Sequence, residues 1–284
     1  MKFGSLLPLF LLSSAGPKAA PPYKTVVAED WRTFPSDSVL LARQLLNWGA
    51  SGKVGPIGDY VHLVPDRTFG QVVRITQPQD FQQGYSPQLH QLLQAPLDKA
   101  WLRFRIRFSP GWTARGSGGA SQGSAYKVMH LYMPGGGATG RTKIDINGGT
   151  RFDFGFSFPG RKYVETLLPG NTWGRAGGSS ITTEFTDGEW YEFIVYHEKT
   201  GATTGRTRAW RRRLTQNGVI VDNPFVFVGW SYVGVTTADS FPQVSSLKLG
   251  INKNRSNDQT QSIFWGPWEV VDGSLYPNPW EVGP

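Results

Sequence analysis

No cysteine occurs anywhere in the 284 residues. That excludes disulfides, a lipid-anchored cysteine and thiol catalysis, so an exported form of the chain has to rely on its hydrophobic core. Histidine is almost as scarce, and His62, His90 and His197 are scattered without the spacing of a zinc site. Long apolar runs are missing too. FGSLLPLFLL, at residues 3–12, falls short of the roughly 20 apolar residues that cross a bilayer, so no membrane span is expected. With Lys2 before it and Ser13-Ser14-Ala15 after it, the run reads instead as an export signal over residues 1–15. The protein is accordingly expected to be secreted or extracellular.

Helical periodicity is confined to one place. DSVLLARQLLNW, residues 37–48, carries an apolar stripe of Val39, Leu40, Leu41, Leu45 and Leu46, with Ser36 or Asp37 available as a cap. Against this stand 35 glycines, 20 prolines and 13% aromatic residues, a composition suited to many short strands joined by tight turns. The formal charge of +8 favours an acidic partner: a polyanionic glycan, a nucleic acid or an anionic surface.

From about residue 60 onward the sequence is strand after strand: YVHLV, QVVRITQ, WLRFRIRF, YKVMHLYM, TKIDIN, RFDFGFSF, EWYEFIVYHE, RTRAWRRRL, SLKLGIN and IFWGPWEVVDG. Gly-rich loops punctuate them. One of these, GGGATGRT at 135–142, nearly matches a phosphate-cradling loop, but it leads into KIDIN, which alternates as a strand, and not into a helix. Strands without intervening helices predict an all-β fold, a two-sheet antiparallel sandwich over residues 60–284, preceded by an arm and one short helix over 16–59.

The strand faces carry the functional information. AWLRFRIRFSPGW, residues 100–112, alternates without a fault, placing Leu102, Phe104, Ile106 and Phe108 on one face and Arg103, Arg105 and Arg107 on the other. By the same alternation Tyr126, His130 and Tyr132 share a face of YKVMHLYM. Asp145 and Asn147 lie outward on KIDIN, and Arg151 lies opposite the phenylalanines of RFDFGFSF. A bowed sheet carrying these faces would line a groove suited to a charged polysaccharide. Arginine pairs bidentately with uronate or sulfate, aromatic rings stack on sugar faces, and amides read hydroxyls. Cleavage by β-elimination further needs the carboxylate neutralised, and a Tyr or His to take the C5 proton and protonate the leaving oxygen. His130, Tyr132 and Arg105 are the catalytic candidates. Arg103, Arg107, Tyr126, Asp145, Asn147, Arg151, Lys248 and Asn252 are the candidates for substrate binding.

GEWYEFIVYHEKTGATTGRTRAWRRRLTQNG, residues 188–218, resembles the stretch of jelly-roll (concanavalin A-like) polysaccharide lyases of the alginate and heparin type in which a Gly-x-Trp strand leads to a strand ending at an Asn-Gly turn. LRFRIRFSPGW and LKLGIN, at 247–252, are similar to two further segments of that group, and the likeness runs over roughly residues 60–270. It implies a jelly roll and an acidic polysaccharide substrate. The group's R-x-E-x-R becomes Arg103, Arg105 and Arg107 without the glutamate, its Q-I-H becomes Val128-Met129-His130, and its Y-x-K-x-G-x-Y keeps Lys248 and Gly250 but has Ser246 and Asn252 in place of both tyrosines.

Other constellations point less far. Arg206, Arg208, Trp210 and Arg212 share one strand face and form a basic-aromatic patch. Nucleic acid is not the expected partner, because the basic residues alternate on sandwich strands and no nucleic-acid-binding module is present. The acids Glu184 and Glu189 lack the alternate-position spacing of retaining glucanases. NKNRSNDQ, at 252–259, offers oxygens to a structural calcium ion, but its spacing matches no calcium loop and it reads as a polar turn; no cofactor is expected. Two readings therefore stand beside each other. The first is recognition of an acidic polysaccharide with lyase chemistry within reach. The second is a structural or adhesive jelly roll on a cell or virion surface.

Overall fold

The computed structural model describes residues 24–42, 46–48, 57–79, 87–112, 124–132, 141–147, 151–157, 163–166, 181–184, 188–202, 205–214, 226–227, 231–235, 243–253 and 259–273. Along the chain the strands are β1 (Lys24–Glu29), β2 (Leu46–Trp48), β3 (Val61–Asp66), β4 (Gly70–Gln77), β5 (Pro87–Leu97) and β6 (Lys99–Phe108). Then come β7 (Ser124–Tyr132), β8 (Arg141–Asn147), β9 (Arg151–Ser157), β10 (Tyr163–Thr166), β11 (Ile181–Glu184) and β12 (Trp190–Lys199). The last are β13 (Gly205–Leu214), β14 (Val226–Phe227), β15 (Ser231–Val235), β16 (Val244–Lys253), β17 (Gln261–Trp265) and β18 (Trp268–Asp272).

These strands form the expected all-β antiparallel jelly-roll sandwich. A nine-stranded sheet runs β14-β13-β12-β6-β17-β4-β3, with β18 also pairing to β6 and to β1. A seven-stranded sheet runs β11-β9-β8-β7-β16-β5-β2, and β10 and β15 pair separately. Alternation decides what lies between the large sheets. Leu102, Phe104, Ile106 and Phe108 of β6 meet Val128 and Met129 of β7, Leu247 and Leu249 of β16 and Leu89 of β5, all buried. Phe104 stacks on Phe193 with ring centroids 5.1 Å apart, and Trp265 tilts against it at 6.0 Å.

Local irregularities re-aim particular residues. The register shifts between Lys127 and Met129 in β7 and between Leu249 and Asn252 in β16, as β-bulges do. Tyr126, Val128 and Met129 are therefore all fully buried, where strict alternation would have put Met129 opposite the other two. Gly250 lies inside the second irregularity at φ +68°, and a Cβ there would come within 3.0 Å of the Tyr126 hydroxyl. Only glycine accepts both constraints.

The helix is shorter than its periodicity predicts. It covers Asp37–Ala42, and Leu46–Trp48, expected inside it, pairs instead with Pro87–Leu89 as β2. A sheet edge offers these residues backbone partners as well as apolar contact, which outweighs a weak helical preference. Nor does Asp37 act as a simple cap. Its carboxylate accepts from the Leu63 amide at 2.7 Å and contacts His62 Nδ1 at 2.9 Å, tying the helix to β3. The export signal, the Gly-rich loops near 117–120 and 135–140, most of the run at 252–259 and the tail from 274 lie outside the described residues. So do the side chains of Phe152, Phe154, Phe156, Ile144 and Ile146.

Phe104 is the most direct probe of this packing. Phe104→Ala should lower unfolding free energy by about 3–5 kcal/mol in chemical denaturation, the range for a fully buried phenylalanine. A loss below about 1 kcal/mol, as surface substitutions give, would contradict the burial of this face.

Candidate functional site

The three arginines of β6 do not line a groove with His130. They sit in the nine-stranded sheet, on the face turned away from the sandwich core, whereas β7 and β16 belong to the seven-stranded sheet. Register brings Arg105 abreast of Glu192 on β12, which in turn is abreast of Arg212 on β13. The Glu192 carboxylate, 1% exposed, meets Arg103 at 2.8 Å, Arg105 at 2.6 Å and Arg212 at 2.6 Å. Burial by itself pushes the Glu192 carboxyl up. The guanidiniums of Arg105, Arg103 and Arg212 outweigh that, and the group lies below the ordinary carboxylate range.

The rest of this face is equally occupied. Arg107 pairs with Asp66 at 3.2 Å and lies between the Trp190 and Phe264 rings, 4.9 and 4.4 Å from their centroids. Asp66 is held in turn by the β3–β4 hairpin, its Oδ1 accepting from the Thr68 and Phe69 amides at 2.8 and 3.0 Å. Gly70, at φ +73°, closes that turn and Phe69 reaches Trp190 edge-on at 4.9 Å. The basic-aromatic patch of β13 resolves likewise. Arg212 belongs to Glu192, and Trp210 stacks on Trp101 at 5.6 Å, with Tyr196 on the same indole at 4.2 Å. Beside this face a cleft of about 520 Å³ is lined by Glu29, Asp30, Arg105 and Glu269 among others. Asp30 there is held by Arg32, and Arg105 by Glu192 and the Pro267 carbonyl.

Arg103, Arg105 and Arg107, expected as glycan ligands, are paired here with the buried carboxylates of Glu192 and Asp66. Tyr126, expected as a ligand too, lies elsewhere, since the bulge in β7 puts its ring in the core against Trp112 at a centroid distance of 5.7 Å. Alternation shows which face a residue takes on its own strand, but not which sheet that strand joins.

The remaining candidates do come together in the seven-stranded sheet. Register sets His90 of β5, Lys248 of β16, His130 of β7 and Lys143 of β8 abreast across four neighbouring strands. One pleat along, Leu92, Ser246, Tyr132 and Arg141 form a parallel row. Past the bulges, Asn252 is abreast of Lys127, which is abreast of Asp145, while Asn147 pairs in register with Arg151. For His130, Tyr132, Asp145, Asn147, Arg151 and Asn252 the described geometry is this backbone placement. His90 and Lys248 are described in full. Both are half-buried and alternate with Leu89, Leu247 and Leu249 of the core, so they take the outer face, where Leu92 is 67% exposed. Burial pushes the Lys248 ammonium down, and burial followed by the charge of Lys248 pushes the His90 imidazole down.

His90 and its strand are what the sequence reading missed. QLHQLLQ carries two prolines at its ends and a Leu-Leu pair that blurs its alternation, and Leu89 and Leu92 were the only trace of two faces. Among the described residues, no group of three or more His, Asp or Glu side chains is placed to hold a metal ion, and no helix is long and apolar enough to cross a membrane.

No protein-family profile matches the chain, and no curated protein is similar to it in sequence. Solved structures do resemble it. The alginate lyase Aly36B superposes with a TM-score of 0.51 at 13% identity, covering 92% of this chain and 100% of that one. A variant of that enzyme in complex with alginate trisaccharide gives 0.50 at 11% identity, covering 88% of this chain and 99% of that one. A further variant, in complex with alginate tetrasaccharide, gives 0.50 at 13% identity with coverage of 92% and 100%. At these identities the likeness is one of fold: a jelly roll shared with an alginate lyase.

The charge cluster yields its own expectation. Glu192→Gln removes the shared anion of three arginines and should destabilise the fold by about 3–5 kcal/mol, as breaking buried ion pairs does. Because the folded Glu192 carboxyl is depressed, its contribution is present above the unfolded carboxylate pKa and is lost as pH falls through the folded value. Wild type should therefore lose stability toward acid more steeply than Glu192→Gln in denaturation series at several pH values. Parallel pH profiles would show that Glu192 is not the depressed group.

Proposed function

We propose that the protein binds an acidic polysaccharide across the outer face of the seven-stranded sheet, and that this face supports β-elimination. The observation that carries the reading is the row of His90, Lys248, His130 and Lys143 across four adjacent strands, flanked by Tyr132 and Arg141 one pleat away. The two lysines of such a row, on β16 and β8, suit the carboxylates of a uronate polymer lying across the strands, and the exposed Leu92 offers an apolar contact to a sugar face. The fold likeness to an alginate lyase, itself solved with alginate oligosaccharides, supports the same substrate class. An export signal at residues 1–15 fits a polymer met outside the cell.

In this reading Lys248 neutralises the carboxylate, which makes the C5 proton acidic. His130 takes that proton, and the C4–O bond breaks as the C4–C5 double bond forms. The Tyr132 hydroxyl then protonates the leaving oxygen. These are the roles that such residue types perform, and His130 and Tyr132 stand two positions apart on the same strand.

The test is incubation with alginate, polyglucuronate and a neutral glucan, following retention by affinity electrophoresis and the ultraviolet absorbance of an unsaturated product. Binding to the acidic polymers, weakening as salt is raised, is expected, with Lys248→Ala losing affinity by about tenfold, the worth of one charge-assisted contact. His130→Ala should keep most affinity and lose the product, because a base acts on the transition state. Binding without product in wild type would leave recognition alone. Equal binding to the neutral glucan, or none to any acidic polymer, would overturn the reading.

A further inference from the structure

We infer that His90 is a working member of this face and that it takes up a proton when an acidic sugar seats on Lys248. The inference rests on the glycan reading above and adds to it a residue and a pH dependence. Its basis is placement. His90 and His130 are the two register partners of Lys248, one on the strand to each side. On the same face of β5, Leu92 two residues along is 67% exposed, whereas Gln88 two residues back is buried.

Among the described residues, Lys248 is a charged group that acts on the His90 imidazole. On β16 it is abreast of Lys248 itself. On the other side β2 pairs with Pro87, Gln88 and Leu89 through Trp48, Asn47 and Leu46, none of which titrates. Along its own strand the flanking positions on that face are Gln88 and Leu92. His130 stands one strand beyond Lys248. Without ligand, half-burial and the ammonium both favour the neutral imidazole. A carboxylate bound by Lys248 cancels that repulsion and adds an attraction, so the imidazole gains proton affinity as the complex forms. By linkage, binding then consumes protons, and affinity rises as pH falls through the range in which free His90 is neutral and bound His90 is charged.

In the sequence His90 is one of several scattered histidines. Its neighbours make it distinct. The other described histidines lie in other surroundings: His62 contacts Asp37 at 2.9 Å, and His197 is fully buried in β12.

The experiment is calorimetric titration of full-length protein with alginate oligosaccharides between about pH 8 and about pH 6, each pH in two buffers of different ionisation enthalpy, so that proton uptake is read directly. Wild type should bind more tightly at the lower pH, by up to about tenfold for each unit by which the imidazole pKa rises on binding, with net proton uptake. His90→Gln should lose most of the uptake and of the pH dependence, while His62→Gln, at the Asp37 contact in the other sheet, keeps both. A His90→Gln profile that follows wild type, or wild-type binding without proton uptake, would overturn the role of His90 while leaving the glycan reading intact. No binding by wild type at any pH would sink the glycan reading and this inference with it. If His90→Gln fails to fold, the imidazole C–H resonances of wild type, followed by NMR through the same titration, report the same proton. A His90 resonance that does not shift toward the charged form on adding oligosaccharide would also overturn the inference.

Discussion

A carboxylate almost sealed from water, Glu192, holds three guanidiniums from two neighbouring strands, and the outer layer of the nine-stranded sheet is organised around it. Taking one such charge out of water is costly by several kcal/mol, and an unpaired arginine in the same place would be no cheaper. The cluster therefore persists only as a set. It ties β6 to β12 and β13 in a single register, because a slip by one residue would turn Glu192 toward the sandwich core and leave the arginines without a partner. The aromatic layer follows from that register: Trp101, Tyr196 and Trp210 fall on the same face and stack, and Trp190 receives Arg107.

This arrangement changes what the positive charge of the chain implies. Several of the arginines that make the sequence basic are matched internally by Glu192, Asp66, Glu269 and Glu189. A patch that reads as an anion-binding strand in the sequence is a second interior in the fold. The other sheet carries cations of its own, where Lys248 lies on an outer face beside the exposed Leu92 and the half-buried His90, in a row that register continues to His130 and Lys143.

Much of the architecture is legible in the sequence because β-sheets repeat every two residues. LRFRIRF and EWYEFIVYHE state their faces plainly, and nine of the ten stretches singled out as strands each hold one strand, while IFWGPWEVVDG divides into β17 and β18. What local pattern does not contain is adjacency. Nothing within residues 100–108 tells that the arginines face Glu192, more than eighty residues away, or that β5 and not β6 borders the strand of Lys248. β5 itself is obscured by Pro87 and Pro96 and by Leu92-Leu93, so His90 went unread. Tyr126 was misplaced for another reason, since a bulge breaks the alternation on which the reading depended. The short helix was overextended because Leu46 and Trp48 satisfy a helical stripe and a sheet edge equally well. His130, Lys248 and Asn252, which the likeness to a lyase pattern groups together, lie by register on adjacent β7 and β16.

The central claim is that an acidic polysaccharide meets the seven-stranded sheet and not the arginine face. Backbone hydrogen exchange with and without alginate oligosaccharide tests it most directly, because it reports every strand at once. The account predicts added protection over residues 87–92 and 246–249, with residues 101–107 and 190–198 unchanged. Protection confined to residues 101–107 and 208–213 would contradict it and return the three arginines to the role of ligands.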